Sequence, residues 1–486
     1  MRRRDRLTSW VVFAGVLLLV AGSGIAESLV AQWSRSNGET GLTKLSVNVD
    51  TAADPTGSAG LTIEEADELA EEWGRPTAYY ARKRVGVATD DTAVEADLIG
   101  VGGSYERFGR PWLYAGSGIA PQSVAERSRV AAVSEELAEK LFRTRNVVGM
   151  TVRTMGATFR IVGVYGDSGS MLDRMTDNGT PDMLVPATAL ADLEPTSRIA
   201  TVELEAGPSG VLTGTADVRT ALIAIGKQPS RYKIVNYAAD RLWIGQKPRL
   251  LLAAAGTAAL IWCARIAIVR VRRAYGLFRR GLAVADWPDV VRRHRIPLAA
   301  DALALAALAA CAAAIGLAIR HRYYVPPDLV PDELIDWTFY RDLWRDYWVR
   351  QVSGLGYVPS PGELVRDRVD MLVGRLTAVG AFAGLPLLWI GVRGWSAAGV
   401  AADVRLVRLA AGFAASLLLT LAAVRWIGAD YAFGAKHLLA FGVLFALAAW
   451  SGTGERNAAP AADEAAETEA DERGAPLPHY RIETKG

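Results

Sequence analysis

Long apolar runs bounded by arginine clusters constrain this chain more than any other feature. The first is Trp10 to Ala26, preceded by Arg2, Arg3, Arg4 and Arg6. Further runs cover Arg249 to Val269, Pro297 to Ile319, Met371 to Val392, Leu406 to Val424 and His437 to Trp450, the last of them short. A helix that crosses a bilayer needs about 20 mostly apolar residues. The pattern therefore predicts a multi-span α-helical membrane protein with spans at 7–30, 248–270, 297–319, 371–392, 406–425 and 436–451. A hydrophobic content of 51% agrees with this and is too high for an ordinary soluble enzyme. The net charge of +2 conceals an uneven distribution, because arginines gather beside the apolar runs and acids gather in the far tail. That arrangement suits a bilayer and not a nucleic acid.

Orientation follows from the short loops, since those on the cytoplasmic side carry the Lys/Arg excess. The N-terminus (1–6) is basic, the segment 271–296 and its flanks carry nine arginines between Arg265 and Arg295, and the loop 393–405 begins at Arg393 and ends at Arg405. All three are expected inside, which places residues 31–247 and the loop 320–370 on the outer face of the cell (plasma) membrane. The basic start, short apolar core and small residues before Glu27 also describe a cleavable signal peptide. Leu29 and Val30 prolong the apolar run and favour a retained helix. Cys263 and Cys311 both fall in expected spans, so the outer domain has no disulfide framework.

The outer region reads as α+β. Thr62 and Glu65 make a capping box for a helix from Ile63 to Trp73, and Tyr79 to Ala88 has strand character. In "RVAAVSEELAEKLF", Val130 to Val133 is a short buried strand and Ser134 an N-cap, with Leu137, Leu141 and Phe142 on one helical face. "MTVRT" and "TFRIVGVYGD" form a hairpin around Gly156, and "IATVELEA", Ala216 to Ile225 and "RYKIVNY" repeat strand, helix, strand.

The segments "LTIEEADELAEEWGRPTAYYA", "ADLIGVGGSYERFGRPWLYAGSGI", "RVAAVSEELAEKLFRTRNVVGMTVRTMGATFRIVGVYGD" and "DMLVPATAL" resemble, in order and character, the periplasmic core domain of MacB-like ABC transporter permeases. After the second span, Tyr275, Gly276, Leu277, Arg279, Arg280, Gly281, Ala283 and Asp286 resemble that family's coupling segment, and Asp301 stands where the family has an acid early in the third span. The resemblance implies a coupling helix that docks on a separate ATP-binding subunit, through Tyr275, Gly276, Leu277, Arg279, Arg280 and Asp286. On the residues alone, the same arginines also serve to fix topology and attract anionic headgroups. The resemblance covers residues 1 to about 320. Beyond it, the family has three spans after the outer domain where five are expected here.

Other chemistry is thin. No Gly-x-x-x-x-Gly-Lys-Ser/Thr run is present to cradle phosphates, so a cis ATPase is excluded. His294, His321, His437 and His479 lack metal-ligand spacing and read as interfacial polar residues. Gly116 to Gly118 and Gly166 to Ser170 read as turns, because neither has the strand and helix context that exposes a nucleophile. No catalytic, cofactor or metal residue is assigned. Arg375 and Arg425 are expected to snorkel to the outer headgroups, and Asp301 either to snorkel to the interface or to pair with an arginine of the basic loop. Trp337, Trp344 and Trp348, with Tyr340 and Tyr347, line one face of an expected helix on the outer leaflet; packing of that face on the core domain is the other arrangement. Residues 452–486, rich in Ala, Glu, Asp and Pro, are expected to be a disordered cytoplasmic tail.

These readings converge on the non-catalytic permease subunit of an ABC-type export or mechanotransmission system, a homodimer or a heterodimer with a second permease. It would contact membrane lipids and no nucleic acid. The alternative is a membrane-anchored scaffold or regulator similar to FtsX-like proteins, which controls an extracellular partner without moving a substrate. A sensor that works without ATP is a third option.

Overall fold

The chain enters on α1 (Arg2–Arg35), which runs unbroken through the first apolar stretch into the outer domain. There follow β1 (Lys44–Val49), α2 (Ile63–Trp73), β2 (Thr77–Ala88), β3 (Ala93–Gly103), β4 (Trp112–Gly116), β5 (Val130–Ser134), α3 (Glu135–Phe142), β6 (Thr151–Thr154), β7 (Ala157–Gly166), β8 (Asp182–Pro186), β9 (Thr201–Glu205), α4 (Gly214–Ala224) and β10 (Tyr232–Asn236). The rest is helical: α5 (Tyr237–Gly245), α6 (Lys247–Leu282), α7 (Trp287–Arg293), α8 (Arg295–Ile319), α9 (Trp337–Ser353), α10 (Pro361–Val379), α11 (Leu385–Ala397), α12 (Ala402–Ile427) and α13 (Ala435–Trp450). This computed structural model describes residues 2–450 apart from positions 55, 110–111, 167–170, 177, 284–285, 332, 334–335 and 354–356. The expected tail and most of the Gly166 to Ser170 turn lie outside the described residues.

The outer domain is built on one mixed sheet in the order β10-β1-β9-β2-β3-β8-β5-β7-β4, with β6 bridging β2 and β7. Its backbone is the long β2–β3 hairpin, paired from Ala78↔Gly103 to Ala88↔Ala93. Pairs β3–β8 and β5–β7 are parallel, so the domain is α+β and not a sandwich. Local signals act as the sequence suggests. Thr62 Oγ1 accepts from Glu65 N at 3.2 Å while Glu65 Oε2 accepts from Thr62 N at 3.0 Å, and Gly74 at φ +65° ends α2. Ser134 Oγ accepts from Leu137 N at 3.2 Å and starts α3. One apolar core holds Leu98, Val133, Leu137 and Phe159, and a second, nearer the chain's entry and exit, holds Leu45, Leu69, Val202 and Leu222.

Among the described residues five helical stretches are long and apolar enough to cross a membrane: Arg6–Arg35, Tyr237–Leu282, Arg295–Ile319, Pro361–Ala397 and Ala402–Ile427. Helix α13 is shorter, about 24 Å at 1.5 Å per residue. Hydropathy sets the expected span limits, whereas helix ends obey other rules, so the two differ. The second helix does not stop near residue 270. It continues through Arg272, Arg273, Arg279 and Arg280 because arginine is a strong helix former and no proline or capping residue intervenes. The fourth starts at Pro361, ten residues before the apolar run, where Ser360 Oγ accepts from Glu363 N at 3.4 Å and proline occupies the first helical turn. A π-helical turn at Gly380–Gly384 joins α10 to α11, next to Pro386, which lacks an N–H for the ladder.

Helix α1 is the centre of the membrane bundle. It packs chiefly against α10, α11 and α12, and only lightly against α6. The approach is close because glycines face it. A Cβ on Gly15 would lie 2.6 Å from Leu388 N, one on Gly22 would lie 2.8 Å from Leu376 O, and one on Gly391 would lie 3.0 Å from Val12 N. Without a hydrophobic drive between helices in lipid, such small-residue contacts supply the packing energy. Gly15→Ala is therefore expected to destabilise by about 1–3 kcal/mol, since backbone atoms cannot yield as a flexible side chain would. Gly316→Ala, on an open face of α8 with nothing within 4 Å, is expected to be neutral or to stabilise by up to about 1 kcal/mol. Thermal unfolding in detergent checks the pair; equal shifts would contradict the close packing.

Candidate coupling site and its link to the outer domain

Strand β10 passes without a loop into α5, whose start is capped by Asn236 Oδ1 accepting from Ala239 N at 3.0 Å. Residues Tyr237–Leu282 then form one helical rod of 46 residues, about 69 Å long at 1.5 Å per residue. Its one irregular point, Gln246, is buried and held twice: Nε2 donates to Tyr324 O and Oε1 accepts from Tyr324 N, both at 2.9 Å. Helix α1 ends shortly before β1, and β1 pairs with β10 from Leu45↔Asn236 to Val49↔Tyr232. Two membrane-crossing helices thus end on two adjacent strands.

The sequence-derived coupling residues lie at the far end of this rod. Tyr275, Gly276, Leu277, Arg279 and Arg280 occupy the last turns of α6, and Asp286 stands at the N-cap position of α7. The expected coupling helix is not separate from the second span. Tyr275 to Arg280 belong to the spanning helix itself, and the separate short helix is Trp287–Arg293. The corner is fixed by Val290, buried against Gly281, where a Cβ would lie 2.4 Å from Val290 Cγ1. Tyr275, Leu282, Trp287, Arg279 and Arg280 stay exposed. Among the described residues, Arg272, Arg273, Arg279, Arg292 and Arg293 have no carboxylate within 4 Å. This end therefore presents an apolar and cationic face with open charge. Asp301 is buried and paired to Arg270, Nη1 to Oδ1 at 2.9 Å, which ties α8 to the rod just inside that face.

Helix α9 bears Trp337, Trp344 and Trp348, all exposed, with Tyr340 and Tyr347 beside them. The rings of Trp344, Tyr347 and Trp348 pack on one another at centroid distances of 5.8–6.2 Å. His437, expected at an interface, is instead buried in α13 with Nε2 3.2 Å from Oε1 of Glu27 on α1. An open cavity of about 920 Å³ lies on the outer domain beside the β2–β3 turn, lined by Asp90, Leu141, Phe142, Arg143, Met150 and Arg153. Among the described residues no three of His, Cys, Asp and Glu gather to hold a metal ion.

Sequence reasoning missed the joint between α10 and the outer domain. Glu363, fully buried, receives hydrogen bonds on Oε1 from Asn48 Nδ2 of β1 and from the Tyr357 hydroxyl, both at 2.6 Å, and its Oε2 lies 3.0 Å from Lys233 Nζ of β10. Burial, and then this hydrogen bond to Glu363, push the Tyr357 phenol well above its ordinary pKa, so it stays a donor. Asn48 is oriented in turn by Thr201 Oγ1, which donates to Asn48 Oδ1 at 2.9 Å. Lower on the same helix face, Arg366 pairs with Asp240 at 2.7 Å and Asp370 with Lys247 at 2.5 Å. The local signals are the Ser360–Pro361–Gly362–Glu363 helix start and Tyr357 six residues earlier; the partners on the sheet, Asn48 and Lys233, lie more than a hundred residues away. Glu363→Ala leaves Asn48 and Tyr357 unpaired in a buried site and is expected to destabilise by about 3 kcal/mol. Amide hydrogen exchange should show lost protection in Leu45–Val49 and Tyr232–Asn236; unchanged protection there would contradict the joint.

Comparison with known proteins places the outer domain. Residues 9–217 match the family described as the MacB-like periplasmic core domain. Solved structures similar to this chain include the extracellular domain of the noncanonic ABC-type transporter YknZ from Gram-positive bacteria, at 19% identity over 40% of this chain and 100% of that one, with a TM-score of 0.33. Another is the periplasmic region of MacB from Actinobacillus actinomycetemcomitans, at 16% identity over 43% of this chain and 94% of that one, with a TM-score of 0.36. No curated protein matches significantly. Over residues 9–217 the chain thus matches the MacB-like periplasmic core domain family.

Proposed function

We propose that this protein is the membrane subunit of a two-component ABC system, in which a separate ATPase docks on the basic end of α6 and drives motion of the outer domain. The observation that carries this reading is the helical rod from Tyr237 to Leu282, whose one irregular point, Gln246, is held by Tyr324. A displacement applied to Arg279 and Arg280 meets only this held turn before it reaches the sheet. The cationic and aromatic surface of Tyr275, Leu277, Arg279, Arg280, Asp286 and Trp287 suits an acidic and apolar groove on the partner. Two such ends, one from each protomer of a dimer, would face two ATPase subunits. This chain would itself be non-catalytic, with ATP hydrolysed in the partner.

Helix α9 serves this arrangement as an outer-leaflet anchor, because tryptophan and tyrosine prefer the headgroup layer and the helix connects two spanning segments on the outer side. The FtsX-like alternative uses the same rods but delivers the motion to an extracellular protein. Trp112, Leu113 and Tyr114, exposed on the edge strand β4, favour it by offering a surface outside the membrane.

The combined Leu277→Ala, Arg279→Ala and Arg280→Ala variant, pulled down from native membranes, is expected to lose at least tenfold of a co-purifying ATPase that wild type retains. Absence of any ATPase with wild type would overturn the coupling reading. For α9, a nitroxide placed at Trp344→Cys in liposomes is expected to report headgroup depth through oxygen accessibility; full accessibility to a water-soluble relaxant would remove the helix from the leaflet.

A further inference from the structure

At the cytoplasmic ends of the spans three tryptophans each meet arginine. Trp395 lies 5.9 Å from the guanidinium of Arg408, and Trp450 lies 5.9 Å from that of Arg270, which also has Asp301 as counter-charge. Trp389 differs. Two guanidiniums from two different helices converge on its ring, Arg265 of α6 at 5.4 Å and Arg393 of α11 at 5.0 Å. The indole is itself held in place by stacking on Trp262, with centroids 5.7 Å apart and planes at 13°. Among the described residues neither Arg265 nor Arg393 has a carboxylate within 4 Å or a hydrogen-bond acceptor, and both are exposed at the surface of the bundle.

Two like charges gathered on one rigid ring repel each other, and an anion between them offsets that repulsion. Their depth identifies the kind of anion. Arg265 lies 18 residues beyond Lys247, where the rod leaves the outer domain, so it sits about 27 Å further along, at the inner edge of a hydrocarbon layer about 30 Å thick. Each guanidinium carbon lies over the indole, and the planar N–H fork of a guanidinium suits a phosphate oxygen pair. We propose that Arg265, Arg393 and Trp389 form a site for the phosphate of an anionic phospholipid of the cytoplasmic leaflet. Because the two arginines come from α6 and α11, a bound headgroup ties the rod to the helices that surround α1, so membrane composition sets how freely the rod moves. The site does not depend on the identity of any ATPase.

The test uses the full chain, delipidated in detergent and titrated with phosphatidylglycerol or phosphatidylcholine under native mass spectrometry. Wild type is expected to retain phosphatidylglycerol preferentially. The Arg265→Gln plus Arg393→Gln double variant is expected to lose on the order of tenfold or more of that affinity, each single variant an intermediate part of it, and the Arg279→Gln plus Arg280→Gln control little. Equal retention of both lipids by wild type, unchanged affinity in the double variant, or an equal loss in the control would each overturn the proposal. Displacement of the lipid by millimolar inorganic phosphate would overturn the lipid assignment and give the site to a soluble phosphate.

Discussion

The rest of the structure depends on one buried carboxylate at the edge of a sheet. Glu363 has no exposure to solvent, yet it joins Asn48 of β1, Lys233 of β10 and Tyr357 of the preceding loop. A carboxylate out of water is tolerated only when its oxygens are paired. The pairing therefore holds three membrane-crossing segments at one place: α1 enters β1, β10 feeds α5 and α6, and α10 starts at the carboxylate itself. Arg366 with Asp240 and Lys247 with Asp370 continue the joint toward the membrane. The outer domain is consequently not a bead on two threads. It is fixed to the bundle at the strands where its motion would start.

The helices beyond residue 320 gain a meaning from this. They are not appended to the rim of a four-span permease. Helices α10, α11 and α12 enclose α1 by glycine-mediated contact, while α6 and α8 remain at the side with α13 against them. The chain thus divides into a rod that reaches the cytoplasmic surface and a collar that holds the first span, both attached to the β1–β10 pair. The Trp262–Trp389 stack with Arg265 and Arg393 is the corresponding contact between rod and collar at the inner face.

Much of this was legible in the sequence where the determinant is local. The capping box at Thr62 and Glu65, the Ser134 cap, the Gly156 hairpin and the apolar runs each depend on residues a few positions apart. The pairing of Asp301 with an arginine was legible too, because a buried acid beside a basic segment has few other partners. What stayed hidden was long-range or negative. Nothing near Glu363 announces Asn48, 315 residues earlier. The rod's continuation through Arg279 and Arg280 is the lack of a stop signal, which hydropathy does not register. His437 reads as interfacial because its acid partner, Glu27, sits at the opposite end of the chain.

The central claim is that the outer domain and the basic end of α6 move as one body. Double electron–electron resonance tests it directly, with nitroxides at Arg219→Cys on α4 and Tyr275→Cys on α6 in a background where Cys263 and Cys311 are replaced by Ala. A rigid rod held at Gln246 requires a single narrow distance distribution in lipid nanodiscs. A broad or two-peaked distribution would place a hinge between β10 and the cytoplasmic surface and would contradict it.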